Sequence, residues 1–186
     1  MNKTIIIICC LFQLAILSSC RQKDKPVAET FLDLLNRYEK DSLKILTVDS
    51  FQSEERFVHQ TTGKAEFIDS FVTFSKAVDG KFIIIKKLNE SEPMVFLVED
   101  SSYYLKYLHI KAPAWKLIIS TKDGKVTRMI SDTTEGYQTY VTESMLKHGN
   151  FVKWLSVKYP NETENYFYHD TTGLLPARLK EYAGTQ

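Results

Sequence analysis

The fold is decided by residues 114–131, AWKLIISTKDGKVTRMIS. Two runs rich in β-branched residues flank Asp123-Gly124, and an Asp-Gly pair between two such runs is a strong hairpin signal. Trp115, Leu117 and Ile119 stand at every second position, which is the period of a strand with one buried face. The stretch therefore predicts two antiparallel strands joined by a tight turn.

Upstream of this hairpin the same composition continues back to Gly80. Residues 81–88, 93–99 and 102–110 are rich in β-branched and aromatic residues, and turn-forming residues separate them. Each range is predicted to be a strand, and together with the hairpin they form an antiparallel meander.

Before Gly80 the apolar residues follow a helical period. Residues 27–40 and 64–78 carry apolar side chains at i, i+3, i+4 and i+7, which predicts two amphipathic helices. A further short helical turn is predicted around Leu43, and a short strand over Arg56–Gln60. Helices followed by a meander indicate an α+β domain with the helices packed on the sheet.

The last part of the chain, residues 143–186, has a weaker pattern. Asn150 is a candidate cap for a short helix, and residues 166–169 and 174–182 are predicted to form a terminal hairpin. Pro176 would place the second arm of that hairpin at an edge of the sheet, because proline cannot donate a ladder hydrogen bond.

The N-terminus resembles a lipoprotein signal. Lys3 precedes a thirteen-residue run from Ile5 to Leu17 that is interrupted only by Gln13, and such a run is too short to span a bilayer. It ends in Leu17-Ser18-Ser19-Cys20, which resembles a lipobox. The resemblance implies cleavage before Cys20 and lipid on its thiol, and two or three acyl chains hold a protein stably at a membrane.

The predicted organisation therefore has four parts. They are a signal peptide at 1–19, a lipidated tether at 20–26, an α+β domain at 27–142, and a C-terminal extension of the same domain at 143–186. The expected location is the bacterial cell envelope, facing the periplasm or the cell surface, with the outer membrane favoured. The expected partner is the membrane, to which the lipid on Cys20 would attach the protein.

Charge and cysteine content exclude several classes of function. The chain has 24 basic and 23 acidic residues, and of these only Lys3 lies before Cys20. The part from Cys20 onward therefore has equal numbers of basic and acidic residues. An even balance gives no argument for a nucleic-acid partner. No cysteine follows Cys20, so the domain must be stable without disulfides.

The order of elements from residue 27 to about 131 resembles the NTF2-like (SnoaL-like) superfamily. The likeness rests on the passage FVHQTTGKAEF at 57–67 and on the hairpin KDGKVTR at 122–128. It implies a strongly curved sheet wrapped around helices to form a cone with a pocket. Members include isomerase-like enzymes, dehydratases, ligand binders and dimerisation modules, so the fold alone does not give the function.

The resemblance also implies positions for a catalytic pair. Isomerase-like members carry an acid on the strand before the second long helix and a tyrosine on the first helix, and those places fall near Gln60 and Phe31. An amide cannot abstract a proton and phenylalanine has no hydroxyl, which argues against that chemistry. A slip of one residue would place His59 there, and a histidine is a competent general base.

The remaining candidates are aromatic and polar residues. Tyrosines and tryptophan on the predicted strands could line a pocket or could cover a half-exposed sheet, and we name Arg56, Gln60, Tyr104 and Trp115 as candidate ligand contacts. His109, His148 and His169 have no ligand-type spacing, and no phosphate-binding or nucleophile motif occurs. The sequence predicts neither a metal nor a cofactor.

The predicted function is therefore a membrane-anchored lipoprotein without catalysis. Its single domain would bind a small apolar or amphipathic ligand or a protein partner, with a homodimer through the aromatic sheet face as one form of the latter. The alternative is an isomerase or dehydratase-type enzyme with His59 as its general base.

Overall fold

A six-stranded curved sheet organises the chain. The structure is a computed structural model, and it describes residues 25–162 and 173–186. The strands are β1 (Thr47–Glu55), β2 (Gln60–Gly63), β3 (Lys81–Asn89), β4 (Met94–Ser101), β5 (Ala114–Lys122) and β6 (Lys125–Thr133). Their order in the sheet is β2-β1-β6-β5-β4-β3. Only the β1–β6 pair of that order is parallel, and β3 to β6 form the predicted antiparallel meander.

Helices lie before, between and after these strands. They are α1 (Val27–Asn36), α2 (Lys40–Leu46), α3, α4 (Tyr103–Tyr107), α5 (Tyr137–Lys158) and α6 (Leu174–Ala183). The third, α3, begins with Lys64–Glu66, passes through a π-helical turn at Phe67–Phe71 and ends with Val72–Ala77. The predicted α+β class is confirmed. Within the described ranges no helix has both the length and the apolar content needed to cross a bilayer.

The predicted hairpin turn is confirmed. Asp123 and Gly124 have φ angles of 51° and 74°, and the strands on either side pair antiparallel from Lys122 and Lys125 outward. Positive φ at both central residues is the condition for the turn whose twist matches that of the flanking strands.

The main core lies between the inner face of the sheet and helices α1 and α3. Alternate residues of β4 and β5 are buried on this face, and Phe96 and Leu117 are paired in register with no exposed surface. Phe31 of α1, Phe51 of β1 and Phe67 of α3 contact each other with ring centroids 5.2 to 6.4 Å apart. These rings fill the centre of the space that the curved sheet encloses.

A second core joins α4, α5 and α6. Phe151 and Leu155 of α5 pack against Leu175 and Leu179 of α6, and all four are almost fully buried. The buried members of both cores lie between residues 28 and 182. The chain from residue 21 onward therefore contains the whole described packed domain.

Polar contacts also tie α6 to the end of α5. The Arg178 guanidinium lies 3.5 Å from the ring centroid of Tyr159, and its Nη2 lies 2.6 Å from Oε1 of Glu162. The Tyr159 hydroxyl in turn donates to Glu181 at 2.7 Å. These contacts fix α6 along α5 and thereby form one side of the space described below.

Two predicted elements near the N-terminus differ in their bounds. The first helix ends at Asn36 instead of 40, because Tyr38 has a φ of 58° that no right-handed helix accommodates. The predicted strand Arg56–Gln60 is wrong: residues 56–59 form the turn between β1 and β2, and His59 has a φ of 54°.

The predicted strand at 102–110 is also wrong. The Ser102 hydroxyl accepts a hydrogen bond of 3.1 Å from the backbone N–H of Leu105, which caps the start of α4. Leu105 and Leu108 then lie on one helical face, buried in the second core. Local capping and burial outweigh the strand preference of the aromatic residues here.

The C-terminal prediction needs a similar correction. A helix of 22 residues, α5, replaces the predicted short helix at Asn150, and it runs across the predicted boundary at residue 142. The predicted hairpin arm at 174–182 is helix α6, and Pro176 lies in its first turn, where a missing N–H costs nothing. The other arm at 166–169 lies outside the described residues, as do the predicted signal peptide and Cys20.

Candidate ligand-binding cavity

The inner face of β4 ends in an acid. Met94, Phe96 and Val98 are buried at alternate positions, and the next residue on that face is Asp100. It pairs in register with Phe82 of β3, and on the other side Oδ2 accepts a hydrogen bond of 2.8 Å from Nε1 of Trp115. A carboxyl group thus occupies the position where the pattern of the strand calls for an apolar side chain.

Burial of this carboxyl group changes its acidity. Loss of contact with water raises the pKa of Asp100 to about 7, the hydrogen bond from Trp115 opposes the rise, and the charge of neighbouring Glu99 adds to it. A carboxyl group with this pKa changes its charge near neutral pH, which is unusual for aspartate and frequent at functional sites.

Asp100 lines a cavity of about 380 Å³, within the size range of small-molecule sites. The cavity lies between the C-terminal half of α3, strands β3 and β4, and helices α4, α5 and α6. Most of its wall is apolar, with contributions from Phe71, Phe74, Val78, Phe82, Leu105 and Phe151.

Polar groups reach the same cavity from α4 and α5. The hydroxyl of Tyr104 lies 2.8 Å from Nδ1 of His148. Tyr140 stands edge-on to the indole of Trp115 with ring centroids 5.8 Å apart. Burial raises the pKa of the Tyr140 hydroxyl, a hydrogen bond with Ser144 lowers it, and the charge of Asp100 raises it.

Among the described lining residues Lys81 supplies the one ammonium group, and this group is paired with an acidic side chain. Its Nζ lies 2.9 Å from Oδ1 of Asp79. The same Asp79 oxygen accepts a hydrogen bond of 2.9 Å from the hydroxyl of Tyr38, and both contacts hold the pKa of Asp79 below its usual value. The positive charge of Lys81 is thus matched by Asp79.

Comparisons with known proteins identify the fold. No family model matches the chain, and no curated protein matches it in sequence. A solved structure described as a SnoaL-like polyketide cyclase from Shewanella putrefaciens matches with a TM-score of 0.50 and 13% identity, over 70% of this chain and 93% of that one. The fold is NTF2-like.

Other solved structures give similar matches. An NTF2-like protein of unknown function from Cytophaga hutchinsonii matches with a TM-score of 0.47 and 11% identity, over 63% of this chain and 99% of its own. A protein described as a ketosteroid isomerase from Kribbella flavida matches with a TM-score of 0.47 and 15% identity, over 59% and 76% of the two chains. At these sequence identities the two matches give no evidence about activity.

The positions that the resemblance assigned to a catalytic pair do not come together in this structure. Phe31 is fully buried in the main core, whereas Gln60 is exposed on β2, opposite Glu55. His59 is an exposed residue of the β1–β2 turn and does not line the cavity. A general base needs a substrate held against it, and the cavity around Asp100 would not bring one to His59.

The four candidate ligand contacts separate into two pairs. Tyr104 lines the cavity, and Trp115 holds Asp100 at its wall. Arg56 is exposed and forms an ion pair with Asp132 at 3.0 Å, and Gln60 lies at the outer edge of the sheet. Within the described ranges no group of three or more His, Cys, Asp or Glu side chains could hold a metal ion.

Sequence reasoning missed Asp100 and gave His148 no role. For Asp100 a signal was available, because the alternation of Met94, Phe96 and Val98 places residue 100 on the same inner face. For His148 the signal was the spacing of four residues from Ser144, which a helix places on one face. Both signals require the correct element bounds, which the sequence had not established in these segments.

Proposed function

We propose that this protein is a lipid-anchored binding protein of the bacterial cell envelope whose cavity holds one small amphipathic molecule. The cavity around Asp100 is the observation that carries the proposal. Its wall is mainly apolar, with a carboxyl group, a Tyr104–His148 pair and the Tyr140 hydroxyl as polar contacts. An apolar wall with a few placed polar groups is the usual composition of a small-molecule site.

The packing of the main core supports the location of this site. In an NTF2-like cone the enclosed space is available for a ligand, but here Phe31, Phe51 and Phe67 fill it. The space that is left lies beyond these rings, between the sheet and the C-terminal helices. Helices α5 and α6 therefore belong to the binding site.

Native mass spectrometry of residues 21–186 tests binding. We expect a co-purifying mass of a few hundred daltons that leaves on denaturation. Ser144→Phe places a ring in the cavity and should abolish the added mass, whereas Thr142→Phe, on the exposed side of the same helix, should retain it. A protein that is bare in all three forms, or a mass that persists in Ser144→Phe, would contradict the proposal.

Lipid anchoring is tested separately in cells fed with labelled palmitate. The wild-type protein should carry the label and fractionate with membranes. Cys20→Ala should lose the label and most of its membrane association, since the lipid on Cys20 is the proposed anchor. A Cys20→Ala protein that stays fully in the membrane fraction would refute the anchoring proposal.

A second candidate function is proton transfer, and the position of Asp100 favours it over any role for His59. A carboxyl group that titrates near neutral pH inside an apolar cavity can act as an acid or a base. The two functions differ in what leaves the cavity. A binding protein releases the molecule that entered, and an enzyme releases a product of altered structure.

A further inference from the structure

The carboxyl group of Asp100 has one hydrogen-bond donor in the described part of the chain. Trp115 donates to Oδ2, and within residues 25–162 and 173–186 no hydrogen bond reaches Oδ1. Within the same ranges no basic side chain forms an ion pair with Asp100, and Lys81 is paired with Asp79. When ionised, this group is a negative charge at the cavity wall without a positive partner from the described chain.

We propose that the ligand is a protonated amine with an apolar body, and that its ammonium group binds Asp100. This inference rests on the proposed binding function and specifies its ligand class. An ammonium group supplies the charge and the donors that the carboxylate lacks, and such charge-assisted hydrogen bonds are about twice as strong as neutral ones.

The aromatic wall suits the same ligand. Phe71 and Phe82 stack with their ring centroids 6.3 Å apart, and Phe82 is the register partner of Asp100. The rings of Tyr140 and Trp115 meet edge to face on the other side of the carboxyl group. Aromatic faces attract cations and also accept an apolar chain, so both ends of the molecule find a favourable surface.

Charge favours an amine over a carboxylate ligand. Asp100 and its chain neighbour Glu99 are both acidic, and the phenol of Tyr140 faces Asp100 from α5. Among the described lining residues the basic side chains are Lys81 and His148. An anionic ligand would have to lie against Asp100, which would then be forced to keep its proton.

The consequence is a binding affinity that depends on pH. An amine needs the ionised form of Asp100, which dominates only above pH 7 in the empty cavity. The imidazole of His148 also lines the cavity, and in its charged form it would repel the amine. His148→Gln removes that contribution, so the variant isolates the effect of Asp100.

Three probes of the same shape test the ligand class: phenylbutylamine, phenylbutanol and phenylbutyrate. We expect calorimetry at pH 8 on residues 21–186 to show the amine binding about tenfold or more tightly than the alcohol. Asp100→Asn should remove that preference while keeping the alcohol affinity. Glu99→Gln, on the exposed neighbour, should keep the preference for the amine. A cooperative thermal transition checks that each variant is folded.

The outcomes separate the two proposals. If the alcohol or the carboxylate binds as well as the amine, the cavity still binds ligands and the amine inference is wrong. If none of the probes binds and no mass co-purifies, the binding function fails as well. An amine preference that survives Asp100→Asn would also overturn the inference, because another group would then supply the negative charge.

Discussion

The indole Nε1 of Trp115 lies 2.8 Å from Oδ2 of Asp100 and donates a hydrogen bond to it. The bond joins β5 to the end of β4 across the inner face of the sheet. It stabilises the charged form of a carboxyl group that burial otherwise keeps protonated. The two residues thereby set the charge of the cavity near neutral pH.

Asp100→Asn should change how stability depends on pH. The pKa of this carboxyl is raised from an ordinary value near 4 to about 7 in the folded protein, so its contribution to stability is complete below pH 4 and is lost as the pH rises to 7. The difference in unfolding free energy between the variant and the wild type should therefore shift in favour of the variant by on the order of 3 kcal/mol from pH 4 to pH 8.

Urea denaturation at pH 4.5, 6 and 8 measures this difference. Glu99→Gln is the matched control, because Glu99 is exposed on the same strand. That variant should keep the shape of the wild-type profile, displaced slightly toward lower pH because the charge of Glu99 that helps raise the pKa of Asp100 is gone. A parallel pH profile for Asp100→Asn and wild type would show that Asp100 has an ordinary pKa.

Trp115→Phe should raise the pKa of Asp100 further. Within the described residues the substitution removes the one hydrogen-bond donor to the carboxylate, while it keeps an aromatic ring against Tyr137 and Tyr140. Because Trp115 is 7% exposed, we also expect a loss of about 1–3 kcal/mol in stability. Carbon-detected NMR titration of the aspartate carboxyls measures the pKa.

Trp154→Phe is the control for that titration. Trp154 packs on Phe151 and Tyr182 in the second core. Within the described residues it forms no hydrogen bond with Asp100. It should leave the titration of Asp100 unchanged. An unchanged titration in Trp115→Phe itself would mean that the indole does not stabilise the charged form.

Phe67→Ala should be strongly destabilising. The side chain is 2% exposed and contacts Phe31, Phe51 and Phe71. Truncating a buried phenylalanine costs about 3–5 kcal/mol.

Chemical denaturation compares this variant with Val58→Ala, whose side chain is 51% exposed and should cost less than about 0.5 kcal/mol. A cost below about 1 kcal/mol for Phe67→Ala would show that the centre of the cone is not tightly packed.

Gly124→Ala should cost about 1 kcal/mol through the backbone alone. An added Cβ would meet no atom within 4 Å, but the φ of 74° disfavours any side chain. Gly63→Ala is a matched control, because its Cβ would also meet nothing and its φ is −78°. Equal thermal shifts for the two variants would contradict the positive-φ turn.

The fold could be predicted where local signals and tertiary packing agree. The Asp123-Gly124 turn pairs Lys122 with Lys125 and so begins the β5–β6 ladder, and the apolar period of 64–78 is strong enough to identify α3. The α+β class follows from the order of these elements.

Prediction failed where packing opposes composition. The aromatic residues of α4 favour strands, but the Ser102 cap and the burial of Leu105 and Leu108 select a helix. Residues 174–182 were predicted to be a strand. They form α6 instead, because Leu175 and Leu179 pack against α5 in the second core.

The site was only partly predictable for the same reason. Tyr104 and Trp115 were identified by residue type, and they meet at the cavity although the element assigned to Tyr104 was wrong. Asp100 was missed because the predicted strand ended at residue 99, two residues before the end of β4, and His148 was missed because α5 was not predicted. Arg56 was placed on a strand that is in fact a turn.

The affinity of phenylbutylamine as a function of pH tests the central claim most directly. For the His148→Gln protein we expect the dissociation constant to fall by about tenfold from pH 6 to pH 8, as Asp100 ionises. The double variant that also carries Asp100→Asn should bind the amine with an affinity that does not change over this range. A flat profile with Asp100 present, or tighter binding in acid, would contradict the assignment of Asp100 as the anchor of the ligand.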